Sequence, residues 1–361
     1  MKICVYAICK NEEKFVNRWV ESMKDADEIY VLDTGSTDNT VNLLRKAGVH
    51  VTQKIISPWR FDVARNESLK LVPEDTDICV CTDLDEVFES GWREELEKNW
   101  KEDTTRASYN YNWSLDENNN PIVNFYIQKI HSRKDYKWTH PVHEVLQCEK
   151  EENLITINSI TVNHYPDREK SRSSYLPLLE LSVQEDPEDD RNMHYLGREY
   201  MYYQNYEKAI EILKKHLTLE KAVWKDERAA SMRFIGRCYK ELNNNEEAHL
   251  WYEAAIEEAP YLRDGYVENA LLYYKEENYE KVAEYCLKAL EIREHQKTYI
   301  NEIFSWNETL YDLLSIANYY LEKYYYSLLF ANLALEINPN DERLKNNKIL
   351  IENKIKEIKN S

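Results

Sequence analysis

The run Cys79-Val-Cys-Thr-Asp83-Leu84-Asp85-Glu86 takes an apolar, strand-like segment straight into three carboxylates. Carboxylates two residues apart at a strand end can coordinate one hard divalent ion while that ion bridges a diphosphate. In open α/β sheets, ligands collect at the carboxyl ends of strands. An Asp-x-Asp alone carries little weight in a chain with 66 acidic residues. Its place, at the end of a buried-looking strand and before a helix, makes it a candidate site. Cys79 and Cys81 alternate along the same strand and share a face. A metal or redox pair is one reading of them, and buried thiols acting as small hydrophobes is the simpler one.

Strand–helix alternation surrounds this site over residues 1 to about 165. Ile3–Cys9 is a β-rich apolar run followed by Asn11, a candidate helix N-cap. Phe15, Trp19 and Met23, with Val16 and Val20 beside them, recur at helical spacing. Glu28–Leu32 predicts a strand, Ser36-Thr37-Asp38 a capped helix start, and Val51–Ile55 and Asp77–Thr82 further strands with a helix near Phe61–Leu71. Such alternation predicts a parallel, helix-covered sheet. Ala107–Trp113, Val123–Ile130 and Leu154–His164 read as strands that extend it into a mixed sheet.

From about residue 190 the period changes. Asn205-Tyr-Glu-Lys-Ala209, Asn244-Asn-Glu-Glu-Ala248, Asn278-Tyr-Glu-Lys-Val282 and a worn Lys323-Tyr-Tyr-Tyr-Ser327 repeat at steps of 39, 34 and 45. Gly197, Gly236, Ala270 and Ser315 precede them at a constant offset, and His216, Ala255, Ala289 and Ala334 follow at another. Small residues there let antiparallel helices approach closely, and Pro260 and Pro339 close two of the units. The pattern resembles the tetratricopeptide repeat. Between the halves, 166–190 is charged and helix-like, giving domains 1–165, a connector 166–190 and repeats 191–361.

Formal charge is −19, from 47 Lys+Arg against 66 Asp+Glu. So acidic a surface repels nucleic acid and anionic lipid. The N-terminus lacks a signal-peptide core and no apolar run nears the length of a membrane span, so the expectation is a cytoplasmic protein that is not integral to a membrane. Six glycines and no GxGxxG or Walker loop count against dinucleotide and NTPase readings.

Four motifs in order, Ile8-Cys-Lys-Asn11-Glu12-Glu13, Val31-Leu-Asp33-Thr-Gly-Ser36-Thr-Asp38-Asn-Thr40, Ala64-Arg65-Asn66 and Asp83-Leu-Asp85-Glu86, resemble family 2 glycosyltransferases with the GT-A fold. The later Trp138-Thr-His-Pro-Val-His143-Glu144 and Val162-Asn-His164-Tyr165 resemble the bacterial branch in which tetratricopeptide repeats follow the catalytic domain, near the peptide S-glycosyltransferases. The fold class implied is α/β plus all-α.

The resemblance implies roles residue by residue. Asp33 meets the uracil or ribose of the nucleotide, with Asp38 the better helix-capping carboxylate. Ala7, Lys10, Asn11 and Glu12 frame the base, Asn11 serving equally as a plain N-cap. Arg65 pairs with a phosphate or with a carboxylate of the site. Asp83 and Leu84 lie on the nucleotide side, Asp83 on the ribose or behind the metal. Asp85 and His164 hold the metal, Mn²⁺ suiting an imidazole–carboxylate pair better than Mg²⁺. Glu144 is the candidate base and Glu86 its rival, nearer the metal and expected to stay ionised. His143 orients Glu144 or contacts a phosphate.

The expected activity is inverting, metal-dependent transfer of a sugar from a nucleotide diphosphosugar, most simply a UDP-sugar, to a peptide, protein or glycan acceptor. Homodimerisation through the repeats is a further expectation, as is acceptor contact through tyrosines such as Tyr203 and Tyr274. Two alternatives stand beside it. One is a repeat scaffold with an inactive GT-A domain. The other is a metal-dependent nucleotidyltransferase, whose glycine-rich first loop is missing from Ala7-Ile-Cys-Lys-Asn-Glu.

Overall fold

The computed structural model describes residues 1–167, 174–296 and 298–360; residues 168–173 of the expected connector lie outside the described residues. The chain divides into two compact units, Met1–Glu185 and Asp186–Gln296 with Ile300–Ser361.

In the first unit the elements run β1 (Ile3–Cys9), α1 (Glu13–Met23), β2 (Glu28–Asp33), α2 (Thr40–Lys46), β3 (His50–Gln53), α3 (Phe61–Leu69), β4 (Ile78–Cys81), β5 (Glu86–Phe88), α4 (Trp92–Asn99), β6 (Arg106–Leu115), β7 (Pro121–Ser132), β8 (Tyr136–Thr139), β9 (Val145–Cys148), β10 (Leu154–His164) and α5 (Tyr175–Glu185). All but β8 and β9 form one eight-stranded sheet, ordered β3-β2-β1-β4-β7-β6-β10-β5. β1, β2, β3 and β4 are parallel, and β7 enters antiparallel to β4 and β6.

All seven residues of β1 are buried, as a central parallel strand covered on both faces requires. On one face, Phe15, Val16, Trp19 and Met23 of α1 pack against alternate strand residues such as Val5, Ala7 and Val80. On the other, Cys4, Tyr6, Cys79 and Cys81 meet Leu69 and Val72 near α3 and Tyr136, Trp138 and Leu146 of the β8–β9 ribbon. Cys79 and Cys81 are thus buried free thiols, Cys79 among apolar neighbours and Cys81 also accepting from Arg65 Nη1 at 3.6 Å. The indole of Trp19 donates to Thr82 Oγ1 at 3.0 Å, pinning the turn that follows β4.

Asn11 is not the cap of α1. It sits at φ 56°, its Oδ1 accepts from Thr37 N at 2.7 Å, and α1 begins only at Glu13 with no side-chain cap. Asn11 therefore ties the first strand–helix loop to the second. Asp38 accepts from Thr40 N at 3.0 Å just ahead of α2, whose N-cap position falls to Asn39 with no side-chain cap. The three-residue β5 and the β8–β9 ribbon escape a reading by periodicity because so few residues carry no period.

The second unit contains α6 (Asp190–Tyr202), α7 (Tyr206–Thr218), α8 (Lys225–Glu241), α9 (Asn245–Glu258), α10 (Asp264–Lys275), α11 (Tyr279–Glu291), α12 (Thr309–Tyr320), α13 (Tyr324–Ile337) and α14 (Glu342–Asn360). Each helix packs on the next, and the first helices of successive pairs, α6, α8, α10 and α12, also touch one another. This is tetratricopeptide-type stacking. The repeated Asn is the N-cap of each second helix: Asn205, Asn244 and Asn278 accept from Lys208 N, Glu247 N and Lys281 N, while Lys323 makes no side-chain cap. The residue before each, Gln204, Asn243, Glu277 and Glu322, has φ between 57 and 59°. Their amides and those of the caps turn back onto the preceding helix (Gln204 N to Met201 O, Asn205 N to Tyr200 O, and likewise in the later pairs), so one Schellman turn recurs four times. A Cβ on Gly236 would stand 2.6 Å from the ring of Tyr252, so the small residue is required by helix approach. Tyr203 and Tyr274 are about half exposed, whereas the ring of Tyr273 stacks on His249 at 4.1 Å.

Candidate active site

The carboxyl ends of β1, β2 and β4 bring the sequence motifs to one edge of the first unit. Asp33 closes β2 and is fully buried. Its carboxylate accepts from Ser36 N at 3.2 Å, Gly35 N at 3.3 Å and Gln53 Nε2 at 3.2 Å. It is thus engaged in shaping its own loop, which Gly35 completes at φ 113°, with Ile55 2.7 Å from where a Cβ would stand. Ala7 is buried in β1 opposite Val31. Lys10 is exposed just past the strand, and the Glu12 amide donates to Thr40 Oγ1 at 2.8 Å.

Between β4 and β5 the chain makes a tight turn, with Glu86 N bonded to Asp83 O at 3.0 Å. Leu84 points into the apolar core, so only its backbone is offered to a ligand. The three carboxylates then part company. Asp83 Oδ1 pairs with Arg65 Nη2 at 2.7 Å and its Oδ2 with Lys129 Nζ at 3.2 Å. Glu86 Oε1 accepts from Lys129 Nζ at 2.8 Å and from Tyr111 OH at 3.0 Å, and its Oε2 accepts from Asp83 N at 2.9 Å. Arg65 reaches the other way, its Nε 3.0 Å from Glu144 Oε1. The Ala64-Arg65-Asn66 motif thereby acquires a physical meaning. Arg65 joins Glu144 to Asp83, while Asn66 Nδ2 and Oδ1 hold Trp138 O and N at 2.8 and 2.9 Å and so fix the strand leading to Glu144. His143, at φ 51°, turns the chain immediately before Glu144, and its ring packs edge-on to Tyr175 at 5.8 Å.

The charges obey their surroundings. Burial opposes charge on Arg65 and Lys129 most strongly, but Asp83 together with Glu144 outweighs it at Arg65 and Asp83 together with Glu86 at Lys129, and each is held well above its usual range. Burial likewise opposes charge on Asp83, yet Arg65 and Lys129 together hold its carboxyl below the ordinary carboxylate range. Glu86 goes the other way: burial, reinforced by Asp83 and Asp85, overcomes Lys129 and raises it. The expectation that Glu86 stays the more readily ionised of the two candidate bases therefore lacks support from its surroundings.

Asp85 turns away from that cluster toward the end of β10. Its Oδ2 lies 3.4 Å from His164 Nε2, and its carbonyl accepts from Tyr165 N at 2.8 Å. His164 Nδ1 donates to the carbonyl of Trp113 at 3.0 Å, which leaves Nε2 as the atom facing Asp85. Burial opposes the imidazolium, but Asp85 outweighs it and raises the His164 pKa. A ring held by its Nδ1–H on a backbone carbonyl, with Nε2 left to ligate, is how metal-binding histidines are oriented. The pair thus fits a divalent ion with two protein ligands and its remaining positions open to phosphate oxygens or water. Among the described residues no group of three or more His, Cys, Asp or Glu stands ready to hold a metal.

Lys129, Tyr111 and Trp113 were not singled out by motif. Lys129 had a signal: it continues the alternation Phe125, Ile127, Lys129 on the core-facing side of β7, where a lysine demands buried carboxylates.

Residues 4–147 match the sequence model of the family described as "Glycosyl transferase family 2". Over these residues the first unit is similar to family 2 glycosyltransferases. Curated relatives include uncharacterized glycosyltransferases of Rickettsia typhi, 41% identical over 59 residues (16% of this chain, 19% of that protein), and of Rickettsia conorii, 42% identical over 59 residues (16% and 20%). The chain thus spans about a fifth of the length of these relatives. Similar solved structures include the MamA protein (18% identity, 46% of this chain and 82% of that one, TM-score 0.37) and PilF of Pseudomonas aeruginosa (14%, 47% and 70%, TM-score 0.38). The repeat character of the second unit rests on its own helix pairs and turns. No helix among the described residues is long and apolar enough to cross a membrane.

Proposed function

We propose that the family 2 domain transfers a sugar, with inversion, from a nucleotide diphosphosugar, a UDP-sugar in the first instance, to a peptide, protein or glycan acceptor. The observation that carries this reading is the Asp85–His164 pair, 3.4 Å apart, with Asp85 in the turn after β4 inside the matched residues and His164 at the end of β10 just beyond them. Asp85 and His164 would hold Mn²⁺ or Mg²⁺. A bound ion there neutralises the charge that builds on the departing diphosphate. Asp83, kept ionised by Arg65 and Lys129, would meet the ribose, and the loops of Asn11 and Asp33 would frame the base. Asp33 meets the nucleotide only by sharing bonds it already makes to its own loop.

Glu144 is the better base. Its Oε1 is anchored by Arg65 and its Oε2 has no hydrogen-bond partner among the described residues, whereas both oxygens of Glu86 are already taken. Glu144 takes the proton from the acceptor's nucleophilic atom as that atom bonds the anomeric carbon. The bond from that carbon to the diphosphate oxygen breaks, and the diphosphate leaves with the electron pair. A panel of nucleotide sugars, scored by hydrolysis and by thermal shift with and without Mn²⁺, tests the reading. Stabilisation by a UDP-sugar only when Mn²⁺ is present is the expected result; no response from any nucleotide sugar overturns it. Turnover of a nucleoside triphosphate with a sugar phosphate instead would make the chain a nucleotidyltransferase.

A further inference from the structure

Trp113 stands beside the Asp85–His164 pair and is used by nothing described so far except through its carbonyl. It is 49% exposed, although its strand, β6, lies inside the sheet between β7 and β10. One face of the indole is covered by the His164 ring, at 4.6 Å between centroids and 23° between planes. With that face covered, the exposure belongs to the opposite face and the rim. The indole N–H has no hydrogen-bond partner among the described residues, in contrast to those of Trp19, Trp92 and Trp138, which are all bonded. The backbone is also shaped for this placement. Pairing of β6 with β7 slips between Asn112 and Ser114, leaving Trp113 as the extra residue of a bulge. A bulge re-aims a side chain, and bulges concentrate next to active sites.

A bare aromatic face with a free donor at its edge has a distinct binding chemistry. The electron-rich face attracts polarised C–H groups and the edge N–H seeks an oxygen. A pyranose offers both, an apolar face of ring C–H groups and hydroxyls around its rim. Position selects which pyranose. Trp113 stacks on the imidazole whose Nε2 edge faces Asp85, so a diphosphate bound at that pair carries its directly attached sugar next to the indole. We infer that Trp113 is the stacking platform for the sugar ring of the donor, an inference that rests on the nucleotide-sugar reading above.

The test is a comparison of two ligands on the full chain with Mn²⁺ present: the best nucleotide diphosphosugar of the panel and its matching nucleoside diphosphate, each titrated calorimetrically. Trp113→Ala is expected to weaken the nucleotide sugar about tenfold, the scale of one aromatic contact, and to leave the nucleoside diphosphate within about twofold. Trp113→Phe, which keeps a ring but not the N–H, should recover most of the loss. Mn²⁺ affinity measured by electron paramagnetic resonance should be unchanged in both variants, which separates a sugar contact from a disturbed His164. Equal weakening of both ligands, or weakening of neither, overturns the inference, as does an effect confined to the KM of the acceptor. Failure of the unsubstituted protein to bind any nucleotide sugar is a different result and removes the function on which the inference stands.

Discussion

Arg65 Nε lies 3.0 Å from Glu144 Oε1, and the guanidinium is 3% exposed. That bond, made from the middle of α3, aims a carboxylate whose own backbone belongs to a loop. Because the same guanidinium also grips Asp83, the candidate base and the nucleotide side of the site share one rigid support.

Glu144→Gln is therefore expected to keep donor affinity within about twofold while transfer falls at least a hundredfold, the order found when a key catalytic group is removed. The paired measurement is Glu86→Gln. If Glu86→Gln is inactive and Glu144→Gln turns over normally, the base is Glu86. Arg65→Lys should depress transfer as well, since an ammonium cannot bridge Asp83 and Glu144 in the fork geometry of a guanidinium.

For Asp85→Asn, size is kept and the charge that holds the ion is lost. Mn²⁺ affinity and turnover are expected to fall together, turnover by about a hundredfold or more. Full activity of the unsubstituted protein in excess EDTA would remove the metal from the reaction.

Much of this was legible before any coordinates. β1, α1 and β10 fall where period and composition put them, and Asn205, Asn244 and Asn278 mark the starts of second helices because their side chains bond a free amide there, while Lys323 holds the fourth such position without a side-chain cap. The site itself was only half legible. Asp85 and His164 are 79 residues apart in number (164 − 85) and come together because β10 lies beside β5. No spacing rule reaches Tyr111, and the alternation of Phe125, Ile127 and Lys129 marks Lys129 as inward-facing without identifying its partners Asp83 and Glu86, which arrive from elsewhere. Asn11 misled for a local reason: its left-handed backbone turns its side chain to the neighbouring loop and away from α1.

Lys129 is the charge that allows Asp83 and Glu86 to sit together in the interior. Lys129→Met fills similar volume but leaves two carboxylates facing each other. Breaking a buried pair in this way costs about 3–5 kcal/mol, so chemical unfolding of the first unit should begin at markedly lower denaturant. Adding Glu86→Gln to Lys129→Met should recover part of that loss. A Lys129→Met variant as stable as the parent would mean that the buried carboxylates do not depend on this lysine.

The last expectation concerns pH and a histidine remote from the metal pair. Trp138 Nε1 donates to Tyr6 OH at 2.9 Å, Tyr6 OH lies 2.8 Å from His131 Nε2, and His131 Nδ1 meets Ser132 O at 2.7 Å. Since the carbonyl can only accept, Nδ1 carries the proton, and Nε2 accepts from Tyr6. A second proton has no place in this chain. Burial pushes the His131 pKa down to about 3, from 6.5. The folded pKa lies below the unfolded one, so unfolding takes up a proton between them. The stabilising contribution is complete above about pH 6.5 and is lost progressively as pH falls toward 3. Buried His194 of the second unit, also pushed down to about 3, acts in the same direction. His131→Gln removes the titration while keeping an acceptor for Tyr6. Its stability relative to the parent, measured by urea unfolding, should therefore improve by about 1.6 kcal/mol between pH 6.5, where the unfolded imidazole is half protonated, and pH 5. If the difference between the two proteins is the same at both pH values, His131 is not held neutral by the fold.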